Sequence, residues 1–163
     1  MFIEDNIRSA IKSLEALQEA TKAGAEETVQ RFWDETSFEN QARKATPADD
    51  RSATPNFHRP TRLSIQLQRK GDGLYMNWVV QDSRYKKKPG GVSVQPYKTH
   101  IPRGIKSDTY PESALTKHMS GWERDLVLST EAKLGRARTI LKTTATIIAT
   151  LKRLEQQNAT LEI

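Results

Sequence analysis

Apolar residues follow three different spacings along the chain, and each spacing predicts its own kind of element. After Asp5, the residues Ile7, Ile11, Leu14 and Leu17 recur at intervals of three and four, and Ala25, Val29 and Phe32 continue the stripe. That period predicts an amphipathic helix with one face turned to a core or a partner. Asp5 or Asn6 can accept from the free N–H groups of the first turn. Gly24 costs about 1 kcal/mol against alanine inside a helix, so a kink or break is expected there. The stripe ends near Glu35, giving an arm of roughly 45 Å. Its other faces carry Glu15, Glu19, Glu26, Glu27 and Asp34.

From Leu63 the period becomes two. Leu63, Ile65 and Leu67 point to one side, while Arg62, Ser64, Gln66, Gln68 and Lys70 point to the other, as in a half-buried strand. Gly71-Asp72-Gly73 is a hairpin signal, because Gly and Asp tolerate the positive φ that tight turns need. A return strand is expected over Leu74–Gln81, with Trp78 read as a core residue. Ser83–Gly91 is expected to be a loop, Val92–Gln95 a third strand, and Tyr97–Ile101 a fourth strand or irregular chain. Pro96 and Pro102 suggest edges, since proline cannot donate to a ladder.

The third pattern is again helical. Thr109-Tyr110-Pro111-Glu112 and Ser120-Gly121-Trp122-Glu123 both have the form of a capping box. The first predicts a short helix to about His118, the second a long one. From Val127, the positions Thr130, Leu134, Ala137, Leu141, Thr144, Ile148 and Leu151 alternate spacings of three and four, as heptads do. Leu126, Ile140, Ile147, Leu154 and Leu161 widen the stripe. Antiparallel packing of this helix on the first arm is the favoured pairing. Self-dimerisation is compatible with it.

The expected fold is α+β, two long helical arms flanking a small antiparallel β-sheet of three or four strands. Its expected parts are an N-terminal helical arm (1–38), a polar linker (39–58), a basic β-region (59–107) and a C-terminal short helix plus long helix (108–163).

Charge alters this picture in one place. The chain carries a net +6, with a pI near 9.6. Between Arg59 and Lys106, eleven cations face only Asp72 and Asp82, a net +9, so the rest of the chain sums to −3. Charge confined to one segment is the footprint of a polyanion-binding surface, and nucleic acid is the leading partner class. The candidate contacts are Arg62, Arg69, Lys70, Arg84, Lys86, Lys87, Lys88, Lys98 and Arg103. Tyr75, Trp78, Tyr85 and Tyr97 lie among them and could stack on exposed bases. A cationic loop over Lys86–Lys88 at a hairpin tip is how a β-ribbon enters a groove or grips a backbone.

Other chemistry finds little support. Cysteine is absent, which excludes disulfides, thiolate metal sites and thiol catalysis. His58, His100 and His118 form no ligand spacing, and neither a nucleophile elbow nor a phosphate-cradling glycine–lysine loop occurs. Four tyrosines are available as nucleophiles, but no histidine cluster could hold the metal a relaxase needs. No enzyme activity, cofactor or metal is expected. Apolar residues make up 36% of the chain and the mean hydropathy is −0.72, so a thin core, elongated helices or an oligomer are expected. The acidic start at Glu4-Asp5 is unlike a signal peptide, and no membrane span is expected. Both point to a cytoplasmic protein without a membrane partner.

Residues 60–150 resemble the MobI-type accessory proteins of conjugative elements. The resemblance rests on the alternating strand after Arg59-Pro60, the lysine-rich hairpin, Ile101-Pro102-Arg103-Gly104, Tyr110, and Trp122-Glu123 opening a long helix with Glu131 and Arg138. It implies a non-catalytic DNA-processing role at an origin of transfer, beside a relaxase on another chain. The partners then expected are DNA, single-stranded or duplex, a relaxase or other transfer protein, and a second copy in a homodimer. An alternative is a helical scaffold whose coiled-coil arms bind a partner while the basic loop serves solubility.

Overall fold

The computed structural model describes residues 2–45, 61–87 and 94–161, with the backbone alone for 2, 44, 82–87, 94–97 and 161. Within these, α1 (Phe2–Ala45) is one helix of 44 residues. It passes Gly24 unbroken, since Ala25 and Val29, just after it, are held in the core. It also runs ten residues beyond Glu35. No apolar stripe marks that extension, because polar contacts hold it. Thr36 is buried, the Asn40 carboxamide accepts the Thr61 N–H at 3.0 Å, and the Arg43 guanidinium lies 4.3 Å over the Trp122 ring. The expected linker therefore begins as helix, and residues 46–58 lie outside the described residues.

Three antiparallel strands form one sheet in the order β1-β2-β3: β1 (Leu63–Lys70), β2 (Gly73–Lys87) and β3 (Val94–His100). Gly71 takes φ 55° in the two-residue turn that pairs Lys70 with Gly73. Alternation puts Leu63, Ile65, Leu74, Met76, Trp78 and Val80 on the core side. Beyond the sheet, α2 (Glu112–Thr116) and a 3₁₀ turn (Gly121–Glu123) lead into α3 (Arg124–Leu161), a helix of 38 residues.

The two long helices lie antiparallel, as the Arg8–Glu155 (2.7 Å) and Glu15–Lys152 (3.1 Å) ion pairs require. Exposed pairs of this kind contribute little to stability, but they record the register. The heptad positions Val127, Leu134 and Ala137 are buried against Ala25, Val29 and Phe32 of α1, and Leu141 packs on the same cluster. The inner positions of the stripe that suggested a scaffold are thus covered within the chain, while Ile140, Ile147 and Leu154 at its edge stay exposed. Trp78 is fully buried, its ring edge-on to Phe32 at 5.0 Å and 87°. The fold is α+β.

One capping box forms and the other does not. The Glu123 carboxylate accepts the Ser120 N–H at 2.6 Å, as the box requires. Thr109 makes no such contact, because its segment is committed elsewhere. The Ser107 hydroxyl bonds the Thr109 carbonyl at 2.6 Å, and the Tyr110 N–H bonds Glu131 of α3 at 2.8 Å. Gly135 permits this docking, since a Cβ there would meet Thr109 Cγ2 at 2.5 Å.

Glu123 is fully buried, and that burial pushes its carboxyl up despite the Thr61 hydroxyl, the Ser120 N–H and the Arg43 charge. A carboxyl held above its unfolded value binds its proton more tightly in the folded chain. The contribution of Glu123 to stability is therefore greatest below its unfolded pKa and is lost as pH rises through the raised folded value. Glu19, Glu26 and Asp108, whose carboxyls are lowered, act in the opposite sense, so the contribution is read as the difference in melting temperature between the wild type and Glu123→Gln across this range. Glu123→Gln, which still accepts from Ser120, is expected to remove that contribution. Identical pH profiles would refute it.

Candidate nucleic-acid interface

The site begins where β1 ends its pairing. β1 covers β2 only as far as the Leu63–Val80 pair, whereas β2 continues to Lys87 and pairs with β3 through Gln81–Lys98, Tyr85–Pro96 and Lys87–Val94. A two-stranded ribbon therefore projects beyond the sheet by roughly 20 Å. A register shift between Gln81 and Tyr85 interrupts it, and such bulges bend and twist a strand. This corrects the expectation of a loop over Ser83–Gly91 as far as Lys87, which is still strand, while residues 88–93 lie outside the described residues. Val94–His100 is one strand, so the sheet has three of the three or four strands expected.

At the base of the ribbon, Arg62, just before β1, stands in a row with Gln81 of β2 and Lys98 of β3. The Gln81 N–H bonds the Arg62 carbonyl at 2.7 Å, and the Arg62 guanidinium donates to the Gln81 carbonyl at 3.4 Å. Arg62 and Lys98 are both exposed, on the sheet side away from the helices. His100, also exposed, shares that side two pairs further along β3, opposite Val79. Its alternation with Lys98 was the only signal in the sequence for placing it here. From this row the backbone of β2 carries Arg84, Lys86 and Lys87 outward. Lys88 lies outside the described residues.

The remaining candidates are elsewhere. Arg69 and Lys70 sit at the opposite end of β1, roughly 25 Å from Arg62. Arg69 is paired with Glu26 of α1 at 2.7 Å, which lowers the Glu26 carboxyl pKa and raises that of the guanidinium. Lys70 lies 5.8 Å over the ring of half-exposed Tyr75. Arg103 is half-buried, its guanidinium 5.7 Å over the Tyr110 ring. The continuous basic segment of the sequence is therefore divided in space, and only its Arg62, Arg84–Lys87 and Lys98 part forms one feature. Trp78, deep in the core, cannot stack on a base.

A buried polar cluster ties α3 to the strand from which the ribbon extends. The Glu131 carboxylate accepts the Trp78 indole N–H (2.7 Å), the Tyr110 N–H (2.8 Å) and Arg138 through both oxygens (2.8 and 3.2 Å). Arg138 also donates to the carbonyls of Met76 (3.0 and 3.2 Å) and Asp108 (3.0 Å). The Tyr110 hydroxyl accepts the Trp78 backbone N–H at 3.3 Å. These bonds lock α3 to β2 three residues before the ribbon starts.

A groove of about 870 Å³ lies between the helices and the first hairpin. Lys22, Arg103 and Lys142 alternate there with Glu19, Asp72 and Asp108, a mixture that does not select an anion. Among the described residues, no three His, Asp or Glu side chains converge as metal ligands would, and no helix is long and apolar enough to cross a membrane.

A helical hairpin carrying a three-stranded antiparallel sheet, two of whose strands extend beyond the third, defines the class as an α+β protein. The family model described as MobI protein matches residues 21–152. The chain belongs to the MobI family. The match starts well before the 60–150 stretch that carries the resemblance and takes in the part of α1 beneath the sheet. No curated protein and no solved structure matches the chain.

Proposed function

We propose that this chain is a non-catalytic DNA-binding accessory factor for conjugative transfer, acting at an origin of transfer beside a relaxase supplied by a separate chain. The observation that carries the reading is the β2–β3 ribbon. Its strands carry Arg84, Lys86, Lys87 and Lys98 against Asp82 alone, and Lys88 follows β2 in the sequence. A two-stranded ribbon fits the roughly 12 Å major groove of B-DNA, and lysines and arginines along it can neutralise phosphates on either side. Membership of the MobI family supplies the mobilisation context. Arg62 at the ribbon base extends the contact, while Arg69, already neutralised by Glu26, adds little. The compartment that follows is the cytoplasm, where such DNA is processed.

Binding of the purified chain to random duplex DNA across a salt series tests this. Each neutralised phosphate contributes about −0.9 to the slope of log K against log salt, so six cations predict a slope near −5 per bound chain. Tighter binding to a transfer-origin fragment than to random duplex would support the origin role. Absence of binding even at low salt would overturn the reading.

A further inference from the structure

The two long helices carry the sheet on one side only. Glu131 and Arg138 of α3 turn toward β2, and Glu26 of α1 reaches Arg69 of β1. Ile140 and Ile147 follow Glu131 and Arg138 by nine positions, and Leu17 precedes Glu26 by nine. At 3.6 residues per turn this is two and a half turns, so all three point away from the sheet. Leu154, seven positions beyond Ile147, continues the line. Leu17, Ile140, Ile147 and Leu154 are 46%, 38%, 41% and 41% exposed. The Glu15–Lys152 and Arg8–Glu155 pairs set Leu17 level with Ile147, so the two helices share one apolar band.

That band is free of charge. The positions sharing the side of Leu17 between Asn6 and Thr28 are all uncharged, and so are those sharing the side of Ile147 between Ile140 and Asn158. Charged residues make up 28% of the chain, and the acids and bases of these helices fall on their other faces. Arg31, Lys133 and Arg136 close the band at the end nearest α2.

We propose that this back face binds a second copy of the chain, the two helical hairpins joining as a four-helix bundle with the sheets on opposite outer sides. Charge and area select this occupant. Two-fold pairing sets this surface against a copy of itself, residue i meeting residue j and j meeting i, and an uncharged face can do so without bringing like charges together. The band is about 27 Å long, from eighteen residues at 1.5 Å each, and about 20 Å wide across two helices. Two such faces together cover about 1,100 Å², the lower end of specific interfaces, so a dimer that dissociates on dilution is expected. Alanine, serine, threonine and glycine between the larger side chains let helices approach closely. Both basic ribbons stay clear of the bundle, on its far sides.

Sedimentation of the full chain without DNA tests this, separately from any result on DNA binding. A species of twice 18.5 kDa is expected at about 100 μM, falling toward 18.5 kDa on dilution. Ile140→Lys with Ile147→Lys is expected to give the 18.5 kDa monomer at every concentration, with a melting temperature close to that of the wild-type monomer. Ala20→Glu, on the α1 half of the band, provides the same reading should the double variant fail to fold. A wild-type chain that stays monomeric at 100 μM would overturn the proposal, as would a dimer that survives Ala20→Glu and the double variant.

Discussion

Reversing Lys86, Lys87 and Lys88 to glutamate is expected to weaken duplex DNA binding by about two to three orders of magnitude near 0.1 M salt. Each lysine that neutralises a phosphate releases counterions worth about 0.9 in the salt slope, so the magnitude of the slope should fall by about 3. The contrast with Arg69 sharpens the expectation. Arg69→Gln should change affinity less than about threefold, because its guanidinium already serves Glu26 and stands roughly 25 Å from the ribbon base. Arg62→Gln and Lys98→Gln, in the row beneath the ribbon, should each cost close to tenfold. Equal effects at Arg69 and Lys98 would mean that DNA follows net charge and not the ribbon. Unchanged affinity in the triple variant would remove the ribbon as the contact.

Replacing Glu131 with alanine is expected to lower the unfolding free energy by about 3–5 kcal/mol. The change leaves a buried guanidinium without its carboxylate and strips partners from the Trp78 indole and the Tyr110 N–H. For a domain with a total stability of about 5–15 kcal/mol, that is a large share. Urea unfolding measures it. Glu131→Met combined with Arg138→Leu should cost less than the sum of the single changes, since no charge is then stranded. A loss below about 1 kcal/mol in Glu131→Ala would show that the pair does not hold the core. Because the cluster grips β2 at Met76 and Trp78, Glu131→Ala should also loosen the ribbon, read as faster amide exchange over Gln81–Lys87 than in the wild type.

Five of the residues that carry the family resemblance have structural roles. Tyr110, Glu131 and Arg138 form the buried cluster, and Trp122 and Glu123 anchor the start of α3 beneath Arg43. They tie α3 to β2 and to the end of α1. The candidate contacts on the ribbon and at its base were legible only as charge, since a surface cation has no neighbours that dictate its spacing.

Periodicity by itself determined both long helices, the first hairpin and the burial of Trp78. A half-buried helix or strand must repeat its apolar residues at its own geometric period, and each of these elements has one face in the core. The extension of α1 to Ala45 and the full length of β2 could be seen only in three dimensions. Both are held by polar contacts from distant segments, Thr61 and Trp122 for the helix and the β3 ladder for the strand. The sequence likewise showed where positive charge was concentrated along the chain. Tertiary structure decided that Arg69 is spent on Glu26, that Arg62 and Lys98 stand in one row, and that Ile140 and Ile147 turn outward while Leu134 turns in. Those outcomes depend on which elements meet, and local spacing carries no record of that.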